Sequence, residues 1–557
     1  MVGNLNSLLF YCTHLFQTWP RADRALRLRE TCAVIAWARA GAFLLGMFTA
    51  SVGFGADALV SYRAWEFSDL DVPYGRASME SARDYGINTV VFPIPYVSQL
   101  FAQSELGTRL RELANEAHAK NLRVGIWVRE LEGVPAQFLD GKVVDLDRPG
   151  FWEWLTGRYE ELFRKFPECD GLVLTFHESP AKIFDPKEVK SKLSMPERFA
   201  AMINTIERVC ARHSKDFIVR SFLYEPQEIA WFKEGFEKTD PRVTIQTKCE
   251  PHDWHPFYPH DPLIGAFPGR KQIVEFDGSS EYTGRNRVPY TQPEYFERRW
   301  RYDLSKGAVG YSIRINWGGF DALHTPNAIN LYAMYRMSQS AAVSADQIWK
   351  DWTRSFYGES AAPFVERALR PTFDVVNKSF FTLEFWITNH SVLPNFAYAD
   401  GHITERTLAK WYPGESHYKE LEERLHSPDP LLLEQILAEK DEAVALADRA
   451  LQALFQGKKA MQPAQFDDLC WRLNLLRRTA VVWKLHAEAF FGLKVLLAGH
   501  KVPGLQKRVQ RALDALELQA SVSAADASIG DQPPASAKEI RSVISDLRAR
   551  LAKLSAN

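Results

Sequence analysis

Three carboxylate residues in the middle of the sequence each follow a short apolar run. Glu178 follows GLVLTF, Asp253 follows VTIQT and Glu281 follows QIVEF. Cleavage of a glycosidic bond needs one carboxylic acid to protonate the leaving oxygen and a second carboxylate as base or nucleophile, because the transition state resembles an oxocarbenium ion. If the three runs end at one edge of a sheet, these residues supply that pair. Each carboxylate taken singly is also compatible with a helix cap or a loop ion pair.

Other residues near the ends of apolar runs fit the same chemistry. Aromatic rings stack on the apolar face of a sugar or pack in a core. Four tryptophans occupy such positions: Trp65, Trp127, Trp254 and Trp317. Four further glutamates compete for a catalytic role: Glu66, Glu130, Glu225 and Glu275. The pattern therefore predicts a carbohydrate site while leaving several carboxylates open as its members.

The elements that must position these residues are eight β-branched or aromatic runs between positions 59 and 340. They are Leu59 to Phe67, Asn88 to Pro93, Leu122 to Val128, Gly171 to Phe176, Phe217 to Tyr224, Val243 to Thr247, Gln272 to Phe276 and Ala308 to Ile315. Amphipathic stretches between them are long enough for the crossovers that parallel strands require. Eight such units predict an α/β fold, a (β/α)8 TIM barrel with its function on the loops after the strands. The alternative is a doubly wound open sheet, which favours a glycine-rich turn after the first strand, and YRAWEFSDLD has no glycine.

Composition excludes several classes of protein. The chain has 557 residues, 68 Lys and Arg against 69 Asp and Glu, and 46% hydrophobic residues, which excludes a disordered chain. The balanced charge, without a long like-charged block, argues against a nucleic-acid partner. The six cysteines form no CxxC and no Cys/His ligand spacing, so neither a metal site nor a disulfide scaffold is indicated. No phosphate loop is present, and the sequence implies no cofactor.

The first 57 residues differ from the rest. Several arginines precede an uncharged stretch, AGAFLLGMFTASVGFGA, that ends in small residues. This pattern predicts a secretory signal peptide, with an uncleaved membrane anchor as the alternative. Both alternatives imply export to the periplasm or the extracellular space, and the membrane is a partner only if the leader stays uncleaved.

The last part of the chain carries only helical patterns. Ser344 and Gln347 form a capping-box pattern at the start of a helix. Three long amphipathic stretches follow: Leu431 to Gln456, Phe466 to Ala498 and Ala537 to Leu554. A linker rich in Ser, Ala and Pro is expected over Ser521 to Ala537. We therefore expect a leader over 1–57, a catalytic barrel over 58–343 and an α-helical C-terminal domain over 344–557, whose helices offer a surface for a homodimer.

One segment is more specific than its pattern. From Val243 to Tyr290 the chain reads VTIQTKCEPHDWHPFYPHDPLIGAFPGRKQIVEFDGSSEYTGRNRVPY. It resembles the α-glucuronidases of glycoside hydrolase family 67, in which a strand-6 Asp, a PLxGA stretch and a Glu inside QEYxG follow one another at similar spacing. Here they are Asp253, PLIGA and the Glu281 of EYTG. The segments DLDRP, TPNAINLYA and SADQI extend the resemblance over roughly 240 residues.

The resemblance implies roles for individual residues. Glu178 would be the general acid, and Asp253 and Glu281 would position and activate the attacking water in an inverting hydrolysis. Arg220 matches a family arginine that helps to bind a uronate carboxylate, with a structural ion pair as the alternative. We expect burial against Phe176 or Trp254, together with nearby carboxylates, to keep Glu178 protonated.

The departures from the family concern substrate recognition. The family has a lysine on strand 4 for the carboxylate, whereas this chain has Leu174 and Thr175 there. We expect no counterpart here of the family's N-terminal β-rich domain. Three residues are candidates to replace the lysine: His177, Lys248 and Arg314. His177 is equally suited to orient Glu178, and Arg314 to pair with a carboxylate. The expected function is hydrolysis of a terminal uronic acid from a plant-type polysaccharide or oligosaccharide. The alternatives are an exo-glycosidase for a neutral sugar and a non-catalytic carbohydrate-binding protein.

Overall fold

The computed structural model describes residues 59–68, 72–93, 104–388, 390–528 and 535–556. Within them, eight parallel strands close into a barrel. The strands are β1 (Tyr62–Glu66), β2 (Thr89–Phe92), β3 (Arg123–Arg129), β4 (Gly171–Thr175), β5 (Asp216–Ser221), β6 (Thr244–Lys248), β7 (Gln272–Asp277) and β8 (Gly310–Arg314). The predicted (β/α)8 barrel is confirmed. The alternative prediction of an open sheet is wrong, because β1 pairs with β8 along its whole length, from Tyr62 beside Gly310 to Glu66 beside Arg314.

Alternate residues of each strand face opposite sides of the barrel wall. A small apolar cluster fills the inside and consists of Ala64, Val91, Trp127, Val173, Ile218 and Ile273. The neighbouring residues, such as Trp65 and Ile126, belong to the large core between the strands and the helices. Since every strand is buried on both faces, its apolar run is nearly continuous.

Helices surround the barrel after most of its strands. They are α1 (Val72–Ala82), α2 (Ser104–Ala119), α3 (Phe151–Lys165), α4 (Met195–Arg212), α5 (Pro226–Glu237), α6 (Pro293–Ser305) and α7 (Ala328–Gln339). Short strands form small sheets outside the barrel: Leu139–Asp140 with Val143–Asp145 and Val189–Lys190, Asn316–Trp317 with Phe320–Asp321, and Phe381–Thr382 with Phe385–Trp386. Single 3-10 turns span Arg83–Tyr85, Ala136–Phe138, Leu408–Lys410 and Lys458–Ala460. The connection from β6 to β7 is a long loop without a helix, and it carries Asp253.

The chain after α7 is mostly helical. Its helices are α8 (Ala345–Tyr357), α9 (Ala362–Leu369), α10 (Thr372–Phe380), α11 (Phe396–Glu405), α12 (Ser416–His426), α13 (Pro430–Gln456), α14 (Pro463–Leu497), α15 (Leu505–Ser528) and α16 (Ala537–Ala556). Ser344 caps α8 by accepting a hydrogen bond from the Gln347 N–H, at 3.2 Å. The helical C-terminal region is confirmed, and its helices pack on one another in chain order from α13 to α16.

Two sequence predictions concern the linker before α16 and the N-terminal leader. The linker prediction is wrong for residues 521–528, because α15 continues through them; its alanines favour a helix, and Ser523 is buried. Residues 529–534 of that linker and the predicted leader, 1–57, lie outside the described residues. In the part of the chain that is described, no helix combines the length and the apolar composition that crossing a bilayer requires.

A cluster of buried acids lies beside β6 and α6. Glu250, Asp261 and Asp303 are each at most 2% exposed. Arg299 interacts electrostatically with Glu250 and Asp303, and Asp261 lies near both acids. Burial raises the pKa of all three carboxyl groups, that of Asp261 to about 8. The folded protein therefore holds protons here that its unfolded chain releases.

This cluster predicts a contribution to stability that is present at acid pH. An unfolded Asp titrates near pH 4, roughly, so this contribution falls as the pH rises from there through the folded pKa of Asp261, about 8. Asp261→Asn keeps the acceptor for the Leu263 N–H and removes the titration. Between about pH 5 and about pH 8 the wild type should lose stability as Asp261 ionises. The variant should lose less over the same range, by at least about 1 kcal/mol. Thermal unfolding across this range measures the difference.

The control for this measurement is Asp147→Asn. Asp147 is exposed and also accepts a backbone N–H, that of Lys192, at 2.7 Å. Its substitution should leave the pH dependence of the wild type unchanged. A pH dependence that is the same in Asp261→Asn as in the wild type would contradict the assignment.

Candidate active site

The three predicted carboxylates follow β4, β6 and β7 and so share the C-terminal end of the barrel. Glu178 is exposed, and among the described residues none forms a hydrogen bond or ion pair with its side chain. It lies close enough to Arg220 and Tyr224 to interact with both electrostatically. The expected burial of Glu178 against Phe176 or Trp254 is wrong, because Glu178 is exposed. Phe176 points outward into an aromatic cluster, with Phe199 5.5 Å away between ring centroids.

Asp253 is buried among basic side chains. Its Oδ2 lies 2.9 Å from Arg406 Nη1 and 3.1 Å from His252 Nδ1. Its Oδ1 lies 3.6 Å from Lys248 Nζ and has no hydrogen-bond partner among the described residues. Burial opposes ionisation, but His252, Lys248 and Arg406 hold the pKa of Asp253 well below its usual value. The carboxylate is therefore ionised, and its Oδ1 faces the Lys248 ammonium group.

Glu281 is also buried, but both of its oxygens are engaged. Oε2 contacts Arg314 Nη1, and Oε1 lies 3.1 Å from His390 Nε2. Although burial opposes ionisation, Arg314 and His390 lower the pKa of Glu281. Asp277, at the end of β7, accepts the Glu281 N–H at 2.9 Å and fixes the turn that carries it. Glu281 is thus a rigidly held anion.

Below these loops, charged side chains fill the top layer of the barrel interior. Arg220 donates to both oxygens of Glu275, with Nη2 to Oε1 at 2.8 Å, and to Thr175 Oγ1 at 2.9 Å. Gln246 bridges Glu66 and Glu275, at 2.7 and 3.0 Å. Burial opposes the ionisation of Glu275, but Arg220 lowers its pKa to about 2, whereas burial and the Glu275 charge raise the pKa of Glu66 to about 7. Arg220 is 1% exposed and pairs with Glu275. The structure therefore favours the alternative interpretation, a structural ion pair, over the predicted contact with a uronate.

Aromatic rings line this layer. Lys248 Nζ lies over the rings of Phe222 and Trp254, at 4.5 and 4.2 Å, and no described residue hydrogen bonds to it. The Arg220 and Arg314 guanidinium groups lie over Trp127, at 4.8 and 5.1 Å. Lys248, Trp127 and Trp254 are therefore together at the site.

Of the remaining predicted residues, Trp317 and His177 lie near the predicted carboxylates, whereas Trp65 does not. Trp317 stacks on His390 at 5.5 Å and is partly exposed, and His177 Nε2 lies 3.2 Å from Glu228 Oε2. Trp65 lies in the outer core, with its ring 5.5 Å from Tyr85 and its side chain 1% exposed. It faces the helices rather than the inside of the barrel, so the prediction that Trp65 binds a sugar is wrong.

The loops of the site hold several residues in the left-handed region of backbone conformation. His177, Asp253, Trp254 and Ser280 have φ angles of 64°, 44°, 58° and 53°. Such conformations cost on the order of 1–3 kcal/mol each in residues other than glycine and are concentrated at functional sites. All four flank or include a predicted catalytic carboxylate, which supports these loops as the functional ones.

Two residues of the site were absent from the sequence prediction. Arg406, at the C-terminal end of α11, and His390, before that helix, reach Asp253 and Glu281 from the helical region. Tyr258 anchors the α11 end by donating from its hydroxyl to the Arg406 carbonyl, at 3.1 Å. The helical region therefore completes the charge environment of the site.

Removing the Arg406 cation should change the pH dependence of any activity at this site. Arg406→Met leaves Asp253 with fewer positive neighbours, so the pKa of Asp253 rises and the acid limb of the kcat/KM profile moves upward by roughly 1 unit or more. Lys410→Met is the matched control: Lys410 also joins the helical region to a barrel loop, with Nζ 2.7 Å from Glu225 Oε1, but does not contact Asp253. Identical acid limbs in the two variants would refute this role.

Comparison with known proteins gives likenesses of fold. Neither a protein-family model nor a curated protein matches the sequence. A GH138 enzyme targeting pectin rhamnogalacturonan II is similar in structure, with a TM-score of 0.59 and 12% identity over 90% of this chain and 67% of that chain. A GH115 4-O-methyl-alpha-glucuronidase with specificity for decorated arabinogalactans gives a TM-score of 0.47 at 10% identity; the match covers 84% of this chain and 59% of that one. The likeness to the GH138 enzyme shows a shared fold.

In the described residues, no group of His, Cys, Asp or Glu side chains is arranged to hold a metal ion.

Proposed function

We propose that the protein is a glycoside hydrolase that acts on the terminal sugar of a polysaccharide or oligosaccharide. One observation carries this proposal: three carboxylates with different environments follow β4, β6 and β7 at one end of the barrel. Asp253 and Glu281 are held as anions by cations, whereas Glu178 is exposed on its loop. Carboxyl groups whose environments differ in this way suit the separate roles of acid and base. The fold shared with the GH138 enzyme agrees with this function.

The contacts of each carboxylate suggest its role. Glu178 protonates the leaving oxygen, as it is free of competing partners among the described residues. Asp253 is the better base for a water molecule, because its Oδ1 has no hydrogen-bond partner in the described structure while both oxygens of Glu281 are engaged. Glu281 then fixes Arg314 and His390 around the sugar. We propose inversion of configuration, in which the base activates water on the face opposite the leaving group.

For the substrate we propose a sugar with an acidic group, such as a uronic acid. Lys248 supports this choice, since its buried Nζ has three donors and no hydrogen-bond partner among the described residues. Phe222 and Trp254 flank the ammonium group and leave its tip for a ligand. Trp254 and Trp317 supply rings for the sugar itself. A neutral sugar is the second candidate, because the Asp253 charge already balances Lys248 in part.

The test is the release of sugar from defined oligosaccharides. The purified protein is incubated with 4-O-methylglucuronosyl xylo-oligosaccharides while proton NMR follows the first anomer released. A β-anomeric uronic acid from the α-link would support both the substrate and inversion. An α-anomer would overturn inversion and make Glu281 the candidate nucleophile. No release of the acid, with turnover of neutral glycosides, would overturn the uronate proposal, and binding without any turnover would leave a carbohydrate-binding protein.

The setting of this activity is also a proposal. We propose export to the periplasm or the extracellular space, because the first 57 residues carry a signal-like pattern. We further propose a homodimer through the C-terminal helices, where Leu431 and Leu518 are 66% and 64% exposed. Sedimentation velocity that shows only a monomer would overturn the dimer.

A further inference from the structure

A buried glutamate beside the site bonds to the backbone of the loop that carries Glu178. Glu130 directly follows β3 and is 1% exposed. Its Oε1 accepts the His177 N–H at 2.9 Å, and its Oε2 accepts the Ile183 N–H at 2.8 Å. The two donors stand at the two ends of the segment 177–183. Both oxygens of one carboxyl group therefore hold the two ends of the short segment that contains Glu178.

This arrangement matters because Glu178 has little else to fix it. Its side chain is exposed and has no hydrogen bond to a described residue, so the backbone must set its position. His177, immediately before it, needs a φ of 64°, which is costly without external support. The Glu130 N–H in turn donates to the Thr175 carbonyl at 3.1 Å, which ties Glu130 to the end of β4. The chain from β4 into the loop is thus bonded to Glu130 at three points.

We propose that Glu130 is the positioning residue for the catalytic acid: it holds segment 177–183 so that Glu178 reaches the leaving oxygen. This inference rests on the proposed function, because it assigns Glu130 through the role of Glu178. Two hydrogen bonds to the oxygens of one carboxyl group fix both ends of the segment at once, which suits a residue that must keep a strained turn in one conformation. A displacement of about 1 Å at a reacting group can cost about 100-fold in rate.

The test uses Glu130→Gln, which keeps the shape of the side chain but turns one acceptor into a donor facing a backbone N–H. Circular dichroism first checks that the variant is folded. Hydrogen exchange, followed by mass spectrometry, then reads the amides of segment 177–183. We expect their exchange to rise roughly tenfold, the effect of losing one hydrogen bond. Glu132→Gln is the matched control, since Glu132 lies in the same loop and pairs with Arg129; it should leave this exchange unchanged.

Kinetics separate a positioning role from a general structural one. If Glu130 acts through the acid, the loss in kcat should be up to about 100-fold for sugar leaving groups and small for aryl glycosides, whose leaving groups need no proton. Unchanged exchange would overturn the proposal, as would equal losses on both substrates. A wild type that hydrolyses no glycoside would instead overturn the proposed function, while the exchange experiment still decides whether Glu130 holds the segment.

Discussion

Glu178→Gln is expected to lower kcat by about 10²–10⁴-fold on glycosides with sugar leaving groups. A glutamine cannot donate the proton that a sugar alkoxide needs as it leaves. Aryl glycosides with acidic phenols leave without protonation, so the variant should keep most of the wild-type rate on them. Steady-state kinetics on a series of leaving groups measures this, and the rate should become steeply dependent on leaving-group pKa only in the variant.

The control for this substitution is Glu225→Gln. Glu225 is an exposed glutamate that follows the neighbouring strand β5, and its partner is Lys410. It should change neither class of substrate strongly. Equal losses on sugar and aryl leaving groups in Glu178→Gln would remove Glu178 from the acid role.

Arg220→Met is expected to destabilise the fold by about 3–5 kcal/mol, because it leaves the buried Glu275 charge without its bidentate partner. Glu66 lies nearby and would repel that charge. Denaturant unfolding measures the loss. If Arg220 instead bound the substrate carboxylate, the variant would keep its stability and show a raised KM, which is the opposite result.

Two further variants sharpen the interpretation of Arg220→Met. Adding Glu275→Gln removes the charge that has lost its bidentate partner, so the double variant should recover part of the lost stability. Arg123→Met breaks another arginine pair of the same barrel, with Asp216, in which both side chains are about half exposed. That substitution should cost about 1 kcal/mol or less, because solvent already screens the pair. A similar cost for Arg123→Met and Arg220→Met would contradict burial as the cause.

The sequence predicted the barrel because its signals are local. Each apolar run and each helical period lies within a short window, and eight repeats of the unit leave few topologies. Positions directly after the runs then predicted that Glu178, Asp253 and Glu281 share one end of the barrel. The structure has all three there, although their chemical roles stay predictions.

Other features depend on information that is not local. Trp65 and Trp127 both lie in apolar runs, and because strands of a parallel barrel are buried on both faces, the runs do not reveal which ring points inward. Arg406 ends α11 and His390 lies in the turn before it, and the packing of this region against the barrel leaves no mark in a helical period. Arg220 pairs with Glu275 across 55 positions of sequence, so only the closed barrel shows that its charge is already used.

The contacts of Arg406 and His390 with the barrel bear on the order in which the candidate site is assembled during synthesis. All eight strands have been made once residue 314 is complete, so the barrel is the first part able to fold as the chain emerges. Asp253 and Glu281 acquire their contacts with Arg406 and His390 only after residue 406 has followed. A nascent chain that stops between these points holds the three carboxylates in an unfinished electrostatic setting, which the helical region completes.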